Sequence, residues 1–243
     1  MEEHLCVDEQ ICSTKALNTL KRYKPHKWGY KVFILSGVSG FAYKTEIETG
    51  QENVVLQDEP DSGASSNVVM RLARIILRQQ KFMLYFDNYF TSFHLLEYLA
   101  KVGILSLGTV RRNRITDCKL LSEKIIMKKE RGYSEEYVAD VNGIDISTVA
   151  WKDSKIINLP STFAGQKSET DIRKWDKQNS KYMNIKRPNV VGEYNRYMGG
   201  VDLLEHHGHL QDTFAKQTMD HAPVLSLFGS HNSQCMNILQ KGC

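Results

Sequence analysis

Residues Phe82-Met83-Leu84-Tyr85-Phe86 form an unbroken run of apolar and aromatic side chains that stops at Asp87-Asn88. Such a run is too short for a helix and lacks alternation, so it predicts a strand buried on both faces at the centre of a sheet. A strand of this kind needs helices to cover it. The flanks supply them. Asp61-Ser62-Gly63-Ala64-Ser65-Ser66 offers N-cap chemistry to a helix whose Val68, Val69, Leu72, Ile75 and Ile76 recur at helical spacing up to Leu77. On the other side Thr91 or Ser92 caps a helix through Leu95, Leu96, Tyr98 and Leu99 that stops at Gly103, and residues 104–110 return as strand.

Upstream, Leu5-Cys6-Val7-Asp8 reads as a short strand ending in a carboxylate, and residues 30–35 and 41–47 flank a Gly37-Val38-Ser39-Gly40 turn as a β-hairpin. The order of strand, hairpin, helix, strand, helix, strand describes a mixed α/β sheet layered with helices. Asp8 and Asp87 both fall at or beside the C-terminal ends of predicted strands, the edge at which open α/β sheets bind ligands. From about residue 112 the pattern changes. Residues 133–141, 144–151 and 155–159 are short and β-rich, with Asn142-Gly143 as a hairpin signal, and predict a small β insertion. Residues 164–187, polar and charged, are expected to be a loop; residues 191–198 lead into a last helix carrying Asp202. No internal repeat is visible.

The chain has 243 residues, 41% hydrophobic and 25% charged, which argues against wholesale disorder, collagen-like sequence and a coiled coil. No apolar run approaches the roughly 20 residues that span a bilayer. The start, MEEHLCVDEQ, is acidic where a signal peptide is basic and then apolar, so an intracellular protein with no membrane partner is expected. The five cysteines (Cys6, Cys12, Cys118, Cys235, Cys243) are scattered and form no C-x-x-C pair, which indicates reduced thiols.

The net charge of +4 hides a segregation along the chain. Residues 1–14 carry Glu2, Glu3, Asp8 and Glu9 and no Lys or Arg, whereas 15–31 carry Lys15, Lys21, Arg22, Lys24, Lys27 and Lys31 and no acid. Two further basic tracts lie at 111–131 and 167–187. Basic tracts between apolar segments suit a protein that tracks a phosphate backbone, and equally suit solvated surface. Trp28, within K-P-H-K-W-G-Y-K, is open to base stacking or to a place in the core. Arg111, Arg112 and Arg114 follow a predicted strand near the ligand edge, where phosphate contact and a solvated turn are both open.

Three acids stand out by their neighbours: Asp8 in V-D-E-Q, Asp87 in Y-F-D-N-Y-F-T-S, and Asp202 in Y-N-R-Y-M-G-G-V-D-L-L-E, with Glu205 one helical turn after Asp202. A carboxylate beside a hydrophobic strand end is costly unless paired, hydrogen-bonded or metal-bound. Oxygen ligands without cysteine suit Mg²⁺ or Mn²⁺ rather than zinc. Taken singly, each aspartate is also compatible with an exposed or capping role.

These blocks, with L-G-T-V-R-R-N-R between the second and third acids, occur in the order seen in piggyBac-type transposases and piggyBac transposable element-derived proteins, which the chain resembles over about residues 3–206. The resemblance implies an RNase H-like mixed β-sheet core of the DDE/DDD class, with a β-rich insertion before the final catalytic helix. It implies a catalytic core in two parts, 1–111 and a final helix at 191–207, an insertion and charged loop at 112–190, and a divergent tail at 208–243. It further implies catalysis by Asp8, Asp87 and Asp202, and a two-metal Mg²⁺ or Mn²⁺ site formed by these residues and Glu205. The implied reaction is cleavage and transfer of DNA strands. Double-stranded DNA at transposon ends is the implied partner, a homodimer the possible assembly, and the nucleus the location. Lys24, Lys27, Trp28, Arg111, Arg112 and Arg114 are the candidate DNA contacts.

The chain departs from the family pattern in two places. Glu9 to Lys24 lacks the usual apolar-aromatic and Gly-Arg pattern. After Glu205 the sequence H-H-G-H-L-Q-D replaces the family's Arg/Lys- and Trp-containing segment and cysteine-rich zinc domain. The expectation is a truncated catalytic core or, alternatively, a domesticated, non-catalytic derivative that binds DNA or protein in the nucleus. His206 and His209 invite a metal reading, against which an adventitious tail is the simpler one.

Overall fold

The computed structural model describes residues 1–13, 21–24, 27–48, 55, 57, 59–176 and 179–206. The first part of the chain contributes strands β1 (His4–Ser13), β2 (Lys21–Lys24), β3 (Lys27–Gly37) and β4 (Ala42–Ile47). Helix α1 (Ala64–Ala73), strand β5 (Met83–Phe86), helix α2 (Phe93–Lys101) and strand β6 (Leu105–Gly108) follow. A short helix α3 (Glu123–Ile126) precedes strands β7 (Ser134–Val141), β8 (Ile144–Lys152), β9 (Ile156–Ser161), β10 (Thr170–Asp176) and β11 (Lys181–Arg187). Helices α4 (Asn189–Tyr197) and α5 (Gly200–His206) close the described chain.

Among the described residues, nine strands form one sheet in the order β2-β3-β1-β5-β6-β9-β8-β7, with β4 also paired to β3. β1, β5 and β6 run parallel, and β3 is antiparallel to β1. β5 is the central strand that its sequence predicts. Alternation along these strands sorts the side chains onto two faces. Leu5, Val7, Phe33, Leu35, Leu84 and Phe86 pack with Val68, Val69 and Leu72 of α1 and Leu95, Leu96 and Leu99 of α2. Cys6, Val32, Ile34, Tyr85 and Leu107 pack on the opposite face with Val190 and Val191 of α4 and Val201 and Leu204 of α5. Both layers are needed, because β5 exposes no side of itself to water.

Several local expectations hold. The hairpin β3–β4 forms, with a register shift between Leu35 and Ser36. Ser92 is the α2 cap: its hydroxyl accepts from the Leu95 N–H at 3.2 Å. Asn142 and Gly143 take φ of 53° and 82° at the β7–β8 turn, the left-handed pair that a two-residue hairpin loop requires.

Other expectations are corrected. β1 runs past Asp8 to Ser13, because the antiparallel ladder with β3 continues to satisfy its backbone after the parallel ladder with β5 has ended. α1 stops at Ala73, short of Leu77, which is exposed. Its N-cap is Gly63 without a side-chain bond; instead Asp61 Oδ1 accepts from Gly63 N and from Asn67 Nδ2, one turn into the helix. The expected β-rich insertion does form, as strands β7–β9, and it joins the main sheet through the Leu107↔Ser161 pair. The expected loop at 164–187 contains the hairpin β10–β11, whose alternation was hidden by its charges.

The last helix is split in two. Gly200 lies so close to β3 that a Cβ there would sit 2.3 Å from Gly37 O and 2.9 Å from Cys6 Sγ, so α5 must begin at a residue with no side chain. Residues 207–243, including His207, His209 and the expected divergent tail, lie outside the described residues.

Candidate functional site

The parallel register between β1 and β5 ends at Val7↔Phe86, and the next residues on the two strands are Asp8 and Asp87. By alternation Asp8 shares a face with Cys6, the face covered by α4 and α5. α5 carries Asp202, which is exposed in its first turn. Burial, first of all, pushes the Asp8 carboxyl up to about 6, and the charges of Glu9, Asp87 and Asp202 add to it; the Glu9 N–H, 2.8 Å from Oδ1, opposes. Asp87 is also raised, chiefly by burial and then by Glu9, against the Tyr89 N–H at 2.8 Å and the Lys31 charge.

The sequence around Asp87 explains its setting. Phe86 and Phe90 are fully buried and anchor the loop at both ends. The Thr91 hydroxyl donates to the Asp87 carbonyl at 2.7 Å, Ser66 donates to the Phe90 carbonyl at 2.9 Å, and Ser92 caps α2. Tyr89 faces outward under Lys31 Nζ, 4.3 Å from the ring centroid. Phe86, Phe90, Thr91 and Ser92 thus hold the turn that presents the carboxylate.

The three arginines divide. Arg111 Nε donates to Asn88 Oδ1 at 3.2 Å and Arg114 Nη1 to the Asn88 carbonyl at 2.6 Å, so both lie beside Asp87, and both are exposed. Arg112 turns the other way and donates to the Leu120 and Leu121 carbonyls, each at 2.6 Å. Lys24 lies on β2 and Lys27 and Trp28 on β3, with Lys24↔Lys27 and Tyr23↔Trp28 in register; their side chains, like that of Glu205, lie outside the described ones.

Sequence reasoning missed Lys31, Asn88 and Tyr194. Tyr194, on α4, forms a hydrogen bond with Thr109, and its hydroxyl is pushed up by burial and then by the charges of Asp87 and Asp8. Its place in Y-N-R-Y-M-G-G-V-D, two turns ahead of Asp202, was the available signal. Among the described residues no three His, Cys, Asp or Glu side chains lie close enough to hold one metal ion, and no helix is long and apolar enough to cross a membrane. Cys6 and Cys118 are free thiols.

The family model described as Transposase IS4 matches residues 1–228. The chain belongs to this transposase family. Among curated proteins, this transposase-family domain is 29% identical over 184 residues to human PiggyBac transposable element-derived protein 3, covering 76% of this chain and 30% of that protein. It is 26% identical over 211 residues to human PiggyBac transposable element-derived protein 2, covering 84% and 35%. The domain therefore spans about a third of the length of these relatives. Among solved structures it matches a chain of a piggyBac transposase synaptic complex with hairpin DNA, with a TM-score of 0.60, 21% identity, and coverage of 85% of this chain and 40% of that one. The fold shared with that transposase is the RNase H-like mixed sheet flanked by helices.

Proposed function

We propose that this chain carries the chemical centre of a piggyBac-type transposase: a divalent-metal-dependent site for cleavage and transfer of DNA strands, in which Asp8, Asp87 and Asp202 are catalytic. The observation that supports this most is the end of the β1–β5 ladder, where two half-buried carboxylates leave adjacent strands at one level within electrostatic reach of Asp202. Their burial and mutual repulsion raise the Asp8 carboxyl, a cost that a bound cation relieves. An all-oxygen donor set suits Mg²⁺ or Mn²⁺, which Asp8, Asp87, Asp202 and Glu205 would hold. Such ions supply Lewis-acid charge at a scissile phosphate and lower the pKa of an attacking water or 3′-hydroxyl.

The chain's own residues do the rest. The Glu9 and Tyr89 N–H groups orient the Asp8 and Asp87 carboxylates. Lys31, Arg111 and Arg114 set positive charge around the Asp87 loop, where the backbone of a double-stranded transposon end would run. A DNA partner assigns the protein to the nucleus, and a homodimer would present one site to each of two ends.

A second reading, a derivative that binds DNA or protein without chemistry, is favoured by one observation: among the described residues no three potential ligands converge on a common ion position. Mg²⁺-dependent nicking of duplex DNA carrying terminal repeats separates the two. The first reading expects nicking that vanishes in Asp87→Asn; equal nicking in that variant contradicts it, and DNA binding without nicking by the unaltered chain supports the second.

A further inference from the structure

The β10–β11 hairpin has two unlike faces. On the inner one, Ile172, Met183 and Ile185 pack into the cluster beneath α4 and α5. Trp151 Nε1 donates to the Lys186 carbonyl at 2.9 Å and Arg131 Nη1 to the Trp175 carbonyl at 3.0 Å, which fixes the ribbon to the main sheet. On the outer face the register pairs are Arg173↔Asn184 and Trp175↔Tyr182. Trp175 is 47% and Tyr182 57% exposed. Their rings meet edge to face with centroids 5.0 Å apart, and the Arg173 guanidinium lies 4.2 Å over the Tyr182 ring.

A cross-strand aromatic pair helps to hold a free two-stranded ribbon. This ribbon is already held by its inner face and by two backbone anchors, so stability alone gives little reason to keep both rings in water. The charges point to a ligand. Both acids of the two strands are engaged, Asp171 with Lys186 at 2.9 Å and Asp176 with Asn179 Nδ2 at 2.6 Å, while Arg173 is exposed beside the rings. Aromatic faces next to cations are the combination that binds an unstacked base together with its phosphate. A duplex has no free base face to lay on the rings, because stacking covers it.

We propose that the outer face of the β10–β11 hairpin is a stacking platform for an unpaired nucleotide of single-stranded DNA, with the Trp175 face under the base and Arg173, held over the Tyr182 ring, beside it. This rests on the reading that the chain handles DNA, and is independent of the carboxylate site, since β10–β11 forms a sheet of its own. The test is fluorescence anisotropy of the full chain with a labelled oligothymidine and with a blunt duplex of equal length. Trp175→Ala and Arg173→Glu each weaken oligothymidine binding by about tenfold and duplex binding by less than about twofold; Tyr182→Phe keeps the ring face and keeps binding. Arg173→Glu leaves both rings in place, so it decides the matter even if Trp175→Ala disturbs the ribbon. Parallel loss of both affinities, or an unchanged oligothymidine affinity in Arg173→Glu, overturns the platform. Duplex binding with no effect of any hairpin variant overturns it while leaving the DNA reading intact.

Discussion

Asp8 and Asp87 are the first residues beyond the end of the parallel ladder between β1 and β5, whose last register pair is Val7↔Phe86. Two neighbouring strands thus deliver a carboxylate each at the same level, and α5, seated through Gly200 against Gly37 and Cys6, brings Asp202 to the same face. The site is a consequence of register and close approach rather than of any one loop.

The raised Asp8 carboxyl makes stability fall as pH rises. Its folded pKa of about 6 exceeds the ordinary 3.8, so the folded state holds the extra proton between those values and its advantage is lost as pH climbs through 6. Asp8→Asn removes the charged form and is expected to stabilise the fold at pH 7.5, on the order of 1 kcal/mol after allowance for partial solvation, with little change at pH 4. Urea unfolding at the two pH values checks this, and a loss of stability at pH 7.5 would contradict it.

Gly200 and the adjacent Gly199 provide an internal contrast. A Cβ at Gly200 would collide with a backbone carbonyl, whereas one at Gly199 meets nothing within 4 Å. Gly200→Ala is expected to cost about 2–3 kcal/mol and Gly199→Ala less than about 1 kcal/mol. Denaturation midpoints of the two variants settle the point.

Thr91 is 2% exposed, and its hydroxyl holds the Asp87 carbonyl. Thr91→Val keeps the shape and removes the bond, with an expected cost of about 1–2 kcal/mol. DNA nicking by this variant should fall further than its folded fraction does, measured by comparing circular dichroism with nicking rate under one condition.

Arg111 and Arg114 differ in role from Arg112. The double change Arg111→Ala with Arg114→Ala is expected to lower DNA affinity and to reduce the slope of log K against log salt by about 1–2, with a small effect on thermal stability. Arg112→Ala removes the bonds to Leu120 and Leu121 and should lower the melting temperature while leaving that slope unchanged. Salt-dependent DNA binding alongside thermal unfolding distinguishes them.

The core was legible because its signals are local and strong. The Phe82–Phe86 run, the Ser92 cap and the Asn142-Gly143 turn each allow few conformations, and all three appear as their residues predict. The β10–β11 hairpin was not legible, since its apolar inner positions Ile172, Met183 and Ile185 are outnumbered by charges that alternate with them. The extent of β1 was missed because pairing with β3, a long-range matter, decides where the strand ends. At the site, motif order pointed to the acids, but the Asn88 contacts of Arg111 and Arg114, the Lys31 charge and the place of Tyr194 depend on loops meeting in space, which no spacing along the chain encodes.

Manganese binding followed by electron paramagnetic resonance, on the unaltered chain and on Asp87→Asn with its fold checked by circular dichroism, tests the carboxylate site most directly. Saturable Mn²⁺ uptake that is stronger at pH 7.5 than at pH 5, competed by Mg²⁺ and lost in Asp87→Asn, is the predicted result. Equal uptake by the two proteins, or none by either, would contradict a metal centre built on Asp8, Asp87 and Asp202.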